Sequence, residues 1–475
     1  MAKRYRMLIN GVWYTAKNKI EVKNRFTNEV IATVASAGVE DVERAIEAAH
    51  NAFSVTRTMP PYQRVELIKN IIEGLKEKRK DLADTIVAEA GKPIRFAQGE
   101  VSRAINTFTV AAEEAKRIGG EIIPMDLLDT AKNRFGYTRR YPIGVIGGIS
   151  PFNFPLNLVC HKVAPCIASG NTMVLKPASY TPLTALTLGD IITKAGAPPG
   201  MLNVVPCPGK VGEALATDER VKKITFTGSA EVGWHLKSVA GRKKVTLELG
   251  GNAGAIVHSD ADLDFASTRL ALGSYAYSGQ VCISVQRIFV EASVFEEFKT
   301  KFVEATKATA HGDPADPETV VGPMIDENAA KQAETWIKEA VKVGAKVVCG
   351  GKRDGAMLQP TVLTNTKPEM KVRSEEIFAP VVTLETYSDF SEAIAAVNDS
   401  RFGLQAAVFT HDIQRIMCAH NELQVGGVII NDYPTFRIDH MPYGGVKDSG
   451  LGREGLKYAI EEMTEPRLIV FNMRK

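Results

Sequence analysis

From Gly144 onward the chain alternates short apolar runs with helical segments, and this alternation constrains the fold more than any other feature. VIGGI (145–149) is followed by NLVCHKVAPCIAS (157–169), TMVLKP (172–177) and TALTLGDIITKAG (184–196). LNVVP (202–206), KKITFTG (222–228) and AIVHSD (255–260) extend the series. Short buried runs separated by helices predict parallel strands covered on both faces, an α/β chain with a doubly wound sheet. Ligands of such sheets bind beyond the carboxyl ends of the strands, so the residues just after each run are the first to inspect.

Before Gly144 the pattern differs. Between about residues 39 and 117 apolar residues recur at helical spacing, as Val42, Ala45, Ile46, Ala49 and Phe53, then as Leu67, Ile68, Ile71, Ile72 and Leu75. Segment 121–142 has no such period and reads as extended chain with a turn. PRLIVFNM (466–473) is a Pro-led apolar strand whose edge needs a partner. A chain of 475 residues is too long for one ordinary core, so two or three domains are expected.

Charge removes some classes of function. The 58 basic residues nearly cancel the 55 acidic ones, and a net +3 supplies no long-range attraction to nucleic acid or to a membrane. No run approaches the roughly 18 apolar residues of a membrane helix, and no apolar segment of signal-peptide length follows the basic N-terminus. The six cysteines (Cys160, Cys166, Cys207, Cys282, Cys349, Cys418) show no CxxC pairing. They read as reduced thiols in a cytoplasmic protein, with neither a disulfide frame nor a metal site.

Five short motifs carry chemistry. After KKITF stands Thr227-Gly228-Ser229-Ala230-Glu231-Val232-Gly233, opening a helix to about Ala240; such a turn offers N–H groups and a positive helix end to an anion, although many similar junctions bind nothing. Lys176 in Leu175-Lys176-Pro177-Ala178-Ser179 ends another run, where it could reach nucleotide sugar hydroxyls or simply be solvated. Cys282 in Ser278-Gly279-Gln280-Val281-Cys282 is either a thiolate held by a depressed pKa or a small core residue. Glu248, between Leu247 and Leu249, is costly to bury unpaired and is therefore the better functional candidate. Asn153 in Ser150-Pro151-Phe152-Asn153-Phe154-Pro155 is a candidate oxyanion donor or ordinary turn chemistry.

Taken in order, SPFNFP, VLKPAS, FTGSAEVG, ELGG, GQVC, EEIFAPV (375–381) and PYGGVKDSGLGRE (442–454) resemble the aldehyde dehydrogenase superfamily over nearly the whole chain. The resemblance implies its fold: a Rossmann-like cofactor domain (1–120 and 143–250), an α/β catalytic domain (251–447) and a β oligomerisation arm (121–142 and 460–475). It implies Cys282 as nucleophile, Asn153 and the Cys282 N–H as oxyanion donors, and Glu248 as the base that releases the acid. Glu248 also favours hydrolysis over transfer to coenzyme A, and its presence with Cys282 argues against a non-catalytic structural relative. Its pKa is expected to rise toward the working range.

By the same resemblance Lys176 and Ser179 lie near the adenosine ribose, Gly209 beside the adenine, and Gly228, Ser229 and Gly233 at the pyrophosphate end, with Phe226 also among the cofactor contacts. Glu376 and Phe378 belong to the nicotinamide end, where this chain has Phe378-Ala379-Pro380 against the family's usual Phe-Gly-Pro. Ser179 in place of a glutamate implies use of NADP at least as well as NAD. On the substrate side the candidates are Phe152, Val281 and Ile283, with Arg103, Arg437 and His440, the arginines serving either substrate or ion pairs. A short oxygenated aldehyde such as lactaldehyde, glycolaldehyde, glyceraldehyde or a semialdehyde is expected, acted on by a homodimer or homotetramer.

Overall fold

The computed structural model describes residues 3–473; residues 1–2 and 474–475, the outer ends of the expected cofactor segment and arm, lie outside them. The helical region divides into Val39–Thr56, Pro61–Glu77, Arg79–Ala90 and Ile94–Glu114. Local chemistry sets the joints. Pro61 begins the second helix, where its missing N–H costs nothing, and Gly91 closes the third in the left-handed region at φ 66°. Leu67, Ile68, Ile71, Ile72 and Leu75 are all buried, each contributing about 1.5–3 kcal/mol. They share one core with helix Asn157–Ser169, whose every residue is buried.

That helix lies against an eight-stranded sheet. Five of its strands run parallel in the spatial order Leu202–Val204, Thr172–Lys176, Val145–Ile149, Val221–Thr227, Lys244–Glu248. The strand that follows Val145–Ile149 in the chain pairs on one side of it, and a later strand pairs on the other. The order therefore reverses between Val145–Ile149 and Val221–Thr227, opening a crevice at their carboxyl ends. Met7–Ile9 and Gly450–Leu451, from opposite ends of the chain, extend the sheet antiparallel.

The apolar run at 255–260, grouped with the first series on sequence, instead starts a second sheet. There Thr361–Thr364, Val381–Tyr387, Val285–Glu291, Ala253–Val257, Gln405–Phe409 and Gly427–Ile430 run parallel, with Lys346–Cys349 antiparallel at one edge. This sheet is also doubly wound, but it presents the amino ends of its strands to the crevice. Gly250 comes just before Ala253–Val257, Cys282 before Val285–Glu291, and Glu376 before Val381–Tyr387; all three face the same cleft.

Segment 121–142 forms Ile122–Ile123, a 3-10 turn at Asp129–Ala131 and the strand Arg134–Pro142. The terminal strand Thr464–Asn472 pairs along its full length with Arg134–Pro142, Thr464 opposite Pro142 and Asn472 opposite Arg134. It lies at the edge of this three-stranded sheet. Among the described residues no helix is long and apolar enough to cross a membrane.

Candidate active site

The strand ends of the two sheets meet at a cleft of about 730 Å³, a size suited to a bound cofactor. On the first sheet, Val145–Ile149 runs into the turn that carries Asn153. Its Nδ2 donates to the Gln280 carbonyl (2.9 Å), and its Oδ1 has no partner. The turn is braced from behind. Lys92 lies 3.5 Å from the Phe154 ring centre and is ion-paired with Glu100. Glu100 also accepts the N–H groups of Leu156 and Asn157 (2.9 and 3.1 Å) at the start of the buried helix. Phe152 meets Phe378 edge-on at 5.9 Å across the cleft.

Lys176, Ser179 and Gly209 line this cleft together with Phe226, Gly228 and Ser229. Lys176 is buried, and burial lowers its pKa. The Ser179 hydroxyl donates to the Cys207 carbonyl at 3.3 Å. Helix Ala230–Val239 begins after Ser229 with no side-chain cap, leaving its first N–H groups open to a ligand. A Cβ at Gly228 would stand 2.6 Å from the Phe226 ring, so the backbone there stays bare for a close approach. These residues fit a dinucleotide. Gly233 is placed differently: it is absent from the cleft wall, and a side chain on it would collide with Leu249.

The second sheet supplies the other wall. Glu376 accepts the Gly251 N–H at 2.9 Å, and burial pushes its carboxyl up to about 7. A Cβ on Gly250 would strike the Glu376 carboxylate, and one on Gly251 the Cys282 carbonyl; the glycine pair of ELGG is needed for this approach. Ala379 is buried in the neighbouring core. The left-handed position of that turn falls on Phe378 (φ 50°).

Cys282 follows three consecutive left-handed residues, Tyr277, Ser278 and Gly279 (φ 52°, 59° and 67°). Such geometry costs about 1–2 kcal/mol at each non-glycine. Tyr277 offsets it with a hydrogen bond to the Ala90 carbonyl (2.9 Å), and Ser278 with one to the Gly322 carbonyl (2.7 Å). The Cys282 sulfur lies 3.1 Å from the Tyr443 hydroxyl. A depressed thiol pKa was one of the two readings of this cysteine. Burial instead pushes it up to about 11, opposed by the Tyr443 contact and the Arg437 charge.

Glu248 ends its strand away from the cleft wall, 3% exposed, with neither carboxylate oxygen hydrogen-bonded. Burial, then the charge of Glu454, raises its pKa well above the usual carboxylate range, the direction expected. Glu454 takes the cations: Arg437 at 2.9 Å and Lys162 at 3.2 Å. Burial alone would raise Glu454 too, but Lys162 and Arg437 hold it at about 2. The proton of this pair therefore rests on Glu248.

The network continues outward. His161 bonds Asp439 at 2.9 Å, and Arg103 pairs with the same Asp439 oxygen at 2.8 Å. Arg103 and Arg437 are thus both ion-paired, yet each keeps a buried Nε without an acceptor. His440 is exposed, while Val281 and Ile283 flank Cys282 as core residues and do not line the cleft. Sequence reasoning missed His161, Lys162, Asp439, Tyr443 and Glu454. A His-Lys pair inside an otherwise apolar helix was one available signal, and Tyr443 and Glu454 stood unread in the closing motif.

A thiol and a dinucleotide cleft on facing strand ends, with a partnerless carboxyl close by, define an oxidoreductase built for covalent thiol chemistry. The chain belongs to the aldehyde dehydrogenase family, whose model matches residues 13–469, and it oxidises aldehydes with NAD(P). It is similar to the 3-sulfolactaldehyde dehydrogenase of Priestia aryabhattai, 46% identical over 472 residues, 99% of this chain and 98% of the relative. Aldehyde dehydrogenase 21 of Physcomitrella patens, solved in complex with the reaction product succinate, matches with TM-score 0.98 at 44% identity over 99% of each chain. The glyceraldehyde-3-phosphate dehydrogenase of Methanocaldococcus jannaschii, solved with NADP, matches with TM-score 0.92 at 40% identity, covering 96% of this chain and 100% of that one.

Proposed function

We propose that this enzyme oxidises a short hydroxyaldehyde with an anionic end to its acid, with Cys282 as nucleophile, Glu248 as deacylating base and NADP as a favoured cofactor. The observation that carries the reading is that Asn153 and Cys282, from facing walls, line one cleft, with the unpartnered Glu248 close enough to influence the thiol's ionisation. The Cys282 sulfur attacks the aldehyde carbon. The second amide N–H of Asn153 and the Cys282 backbone N–H hold the resulting oxyanion, each worth about 2.7–4 kcal/mol in such sites. A nicotinamide bound in the cleft would supply the hydride acceptor, and Cys282 would then carry the acyl group as a thioester. Glu248, once ionised, is a strong base for the water that hydrolyses it. That route yields a free acid without coenzyme A.

The unsatisfied Nε groups of Arg103 and Arg437 support an anionic substrate end. So do the relatives, one named for a sulfonated hydroxyaldehyde and another solved with succinate. Ser179 removes the repulsion a glutamate would exert on a 2′-phosphate, and Lys176 supplies a cation. In this reading residues 1–120 and 143–250 bind the cofactor and 251–447 carry the chemistry. The arm (121–142 and 460–475) joins subunits into a cytoplasmic dimer or tetramer, as the exposed Leu468, Ile469, Val470 and Phe471 on its edge strand support.

The test is a panel of aldehydes with each cofactor, followed by reduced nicotinamide absorbance. Anionic hydroxyaldehydes should exceed propanal in kcat/KM by at least tenfold, about 1.4 kcal/mol. Ser179→Glu should cut NADP efficiency by a similar factor and spare NAD. Equal use of propanal defeats the substrate reading, and an unchanged cofactor preference defeats the role of Ser179.

A further inference from the structure

The closing motif places a tyrosine beside the Cys282 sulfur. Tyr443 is 3% exposed, and its hydroxyl lies 3.1 Å from the Cys282 sulfur. The Arg437 guanidinium covers its ring, 3.6 Å from the centre, and Glu454 anchors that guanidinium at 2.9 Å. Ring plane and hydroxyl direction are thereby set from behind. Burial, then the neighbouring Cys282, keeps the phenol protonated far above its ordinary range. Toward an ionised sulfur it can therefore only donate.

The sulfur needs such a donor. It is half-buried in the cleft wall, and the charged groups around it come from three elements: Glu376 before Val381–Tyr387, Glu248 at the end of Lys244–Glu248, and Arg437 in the 434–442 loop. The two carboxyl groups oppose ionisation and Arg437 favours it from behind the ring. Among the described residues Tyr443 is the one side chain whose O–H reaches the sulfur.

We propose that Tyr443 is a catalytic residue: its hydroxyl donates to the Cys282 sulfur and stabilises the thiolate that attacks the aldehyde, with Arg437 as the positioning residue that holds the ring. The thiol proton leaves to water in the cleft, while the phenol keeps its own proton in the bond to sulfur. A hydrogen bond to an ionised acceptor is about twice as strong as one to a neutral partner, and that difference shifts the ionisation. The proposal rests on Cys282 being the nucleophile, and its test needs no turnover.

Tyr443→Phe removes one oxygen and keeps the ring beneath Arg437. The free enzyme is alkylated with iodoacetamide between pH 7 and 11, the modified site is identified by mass spectrometry, and thiolate absorbance is followed against Cys282→Ala. The Cys282 inflection should move up by about one pH unit in the variant. Alkylation at pH 8 should slow about threefold, because a tenfold loss of thiolate is partly offset by the greater nucleophilicity of a more basic sulfur. NADP affinity, measured by fluorescence, should not change. An inflection that stays in place or moves down overturns the proposal. Arg437→Lys, which keeps the charge but loses the flat stack, gives a second reading should the first variant unfold: an upward move supports the stack, and an unmoved inflection overturns it. Wild-type alkylation that spares Cys282 instead removes the nucleophile assignment, a distinct failure that takes this proposal with it.

Discussion

Glu454 and Glu248 share one buried charge cluster, and Glu454 holds its cations. It pairs with Arg437 and Lys162 at 2.9 and 3.2 Å, while neither oxygen of Glu248 has a hydrogen-bond partner. Two carboxyl groups with such different surroundings separate in pKa, one down to about 2 and the other well above its usual range. Separation of this kind assigns the resident proton and the resident negative charge to different residues.

Glu248→Gln should stop the reaction after one hydride transfer per site, because the base acts on the deacylating water. Rapid mixing should show a burst of reduced cofactor followed by a slow steady state. Loss of the burst together with turnover would assign Glu248 to thiol activation or to structure.

The same substitution should stabilise the fold as pH rises. The folded pKa of Glu248 lies above its unfolded value. Below the unfolded pKa both states are protonated and nothing is lost. Above it the unfolded chain releases a proton that the folded enzyme retains, so wild-type stability falls with pH until the folded pKa is reached. Glutamine does not titrate. Thermal unfolding should show no difference at about pH 4 and a higher Tm for Glu248→Gln at pH 8; equal melting at both pH values contradicts the burial argument.

Cys282→Ala should reduce turnover about a thousandfold or more, since no neighbouring group can form the covalent adduct. Cofactor affinity should survive, and equilibrium binding measures it. Substantial remaining activity would point to another of the six cysteines.

Gly250→Ala should weaken the nicotinamide end without unfolding the protein. The added methyl meets the Glu376 carboxylate, which must swing away from its bond to the Gly251 N–H. A charge-assisted hydrogen bond is worth roughly 1.5–3 kcal/mol, so the KM for cofactor should rise about tenfold or more. A normal KM would show that Glu376 does not hold the cofactor.

Arg103→Ala and Arg437→Ala should raise KM for anionic aldehydes more than for propanal, by a factor in the same range. They should differ in stability. Arg437 is buried against Glu454, and its loss leaves that buried carboxylate with Lys162 as its remaining ion-pair partner and removes the stack on Tyr443, which should destabilise the fold. Arg103 is 31% exposed and its loss should cost less. Equal effects on polar and apolar substrates would return both arginines to purely structural roles.

Much of the first sheet was legible because its information is local. Each apolar run is a strand buried on both faces, each following turn is short, and Asn153, Lys176 and Gly228 sit at or just beyond the strand ends where a doubly wound sheet binds ligands. Motif order identified Cys282, Glu248 and Glu376 as candidates. What the chain alone determined was therefore the architecture and the set of chemically active residue types. Tertiary structure decided the rest. The second sheet turns its strand amino ends to the cleft, so Cys282 and Glu376 precede their strands and escape the strand-end rule. Ionisation was also out of reach, since it depends on desolvation and on charges distant in sequence. Lys162 and Glu454 are 292 residues apart, and Cys282 and Tyr443 are separated by 161. Only packing removes the water between such groups, and only then does a charge a few ångströms away determine which of them holds a proton.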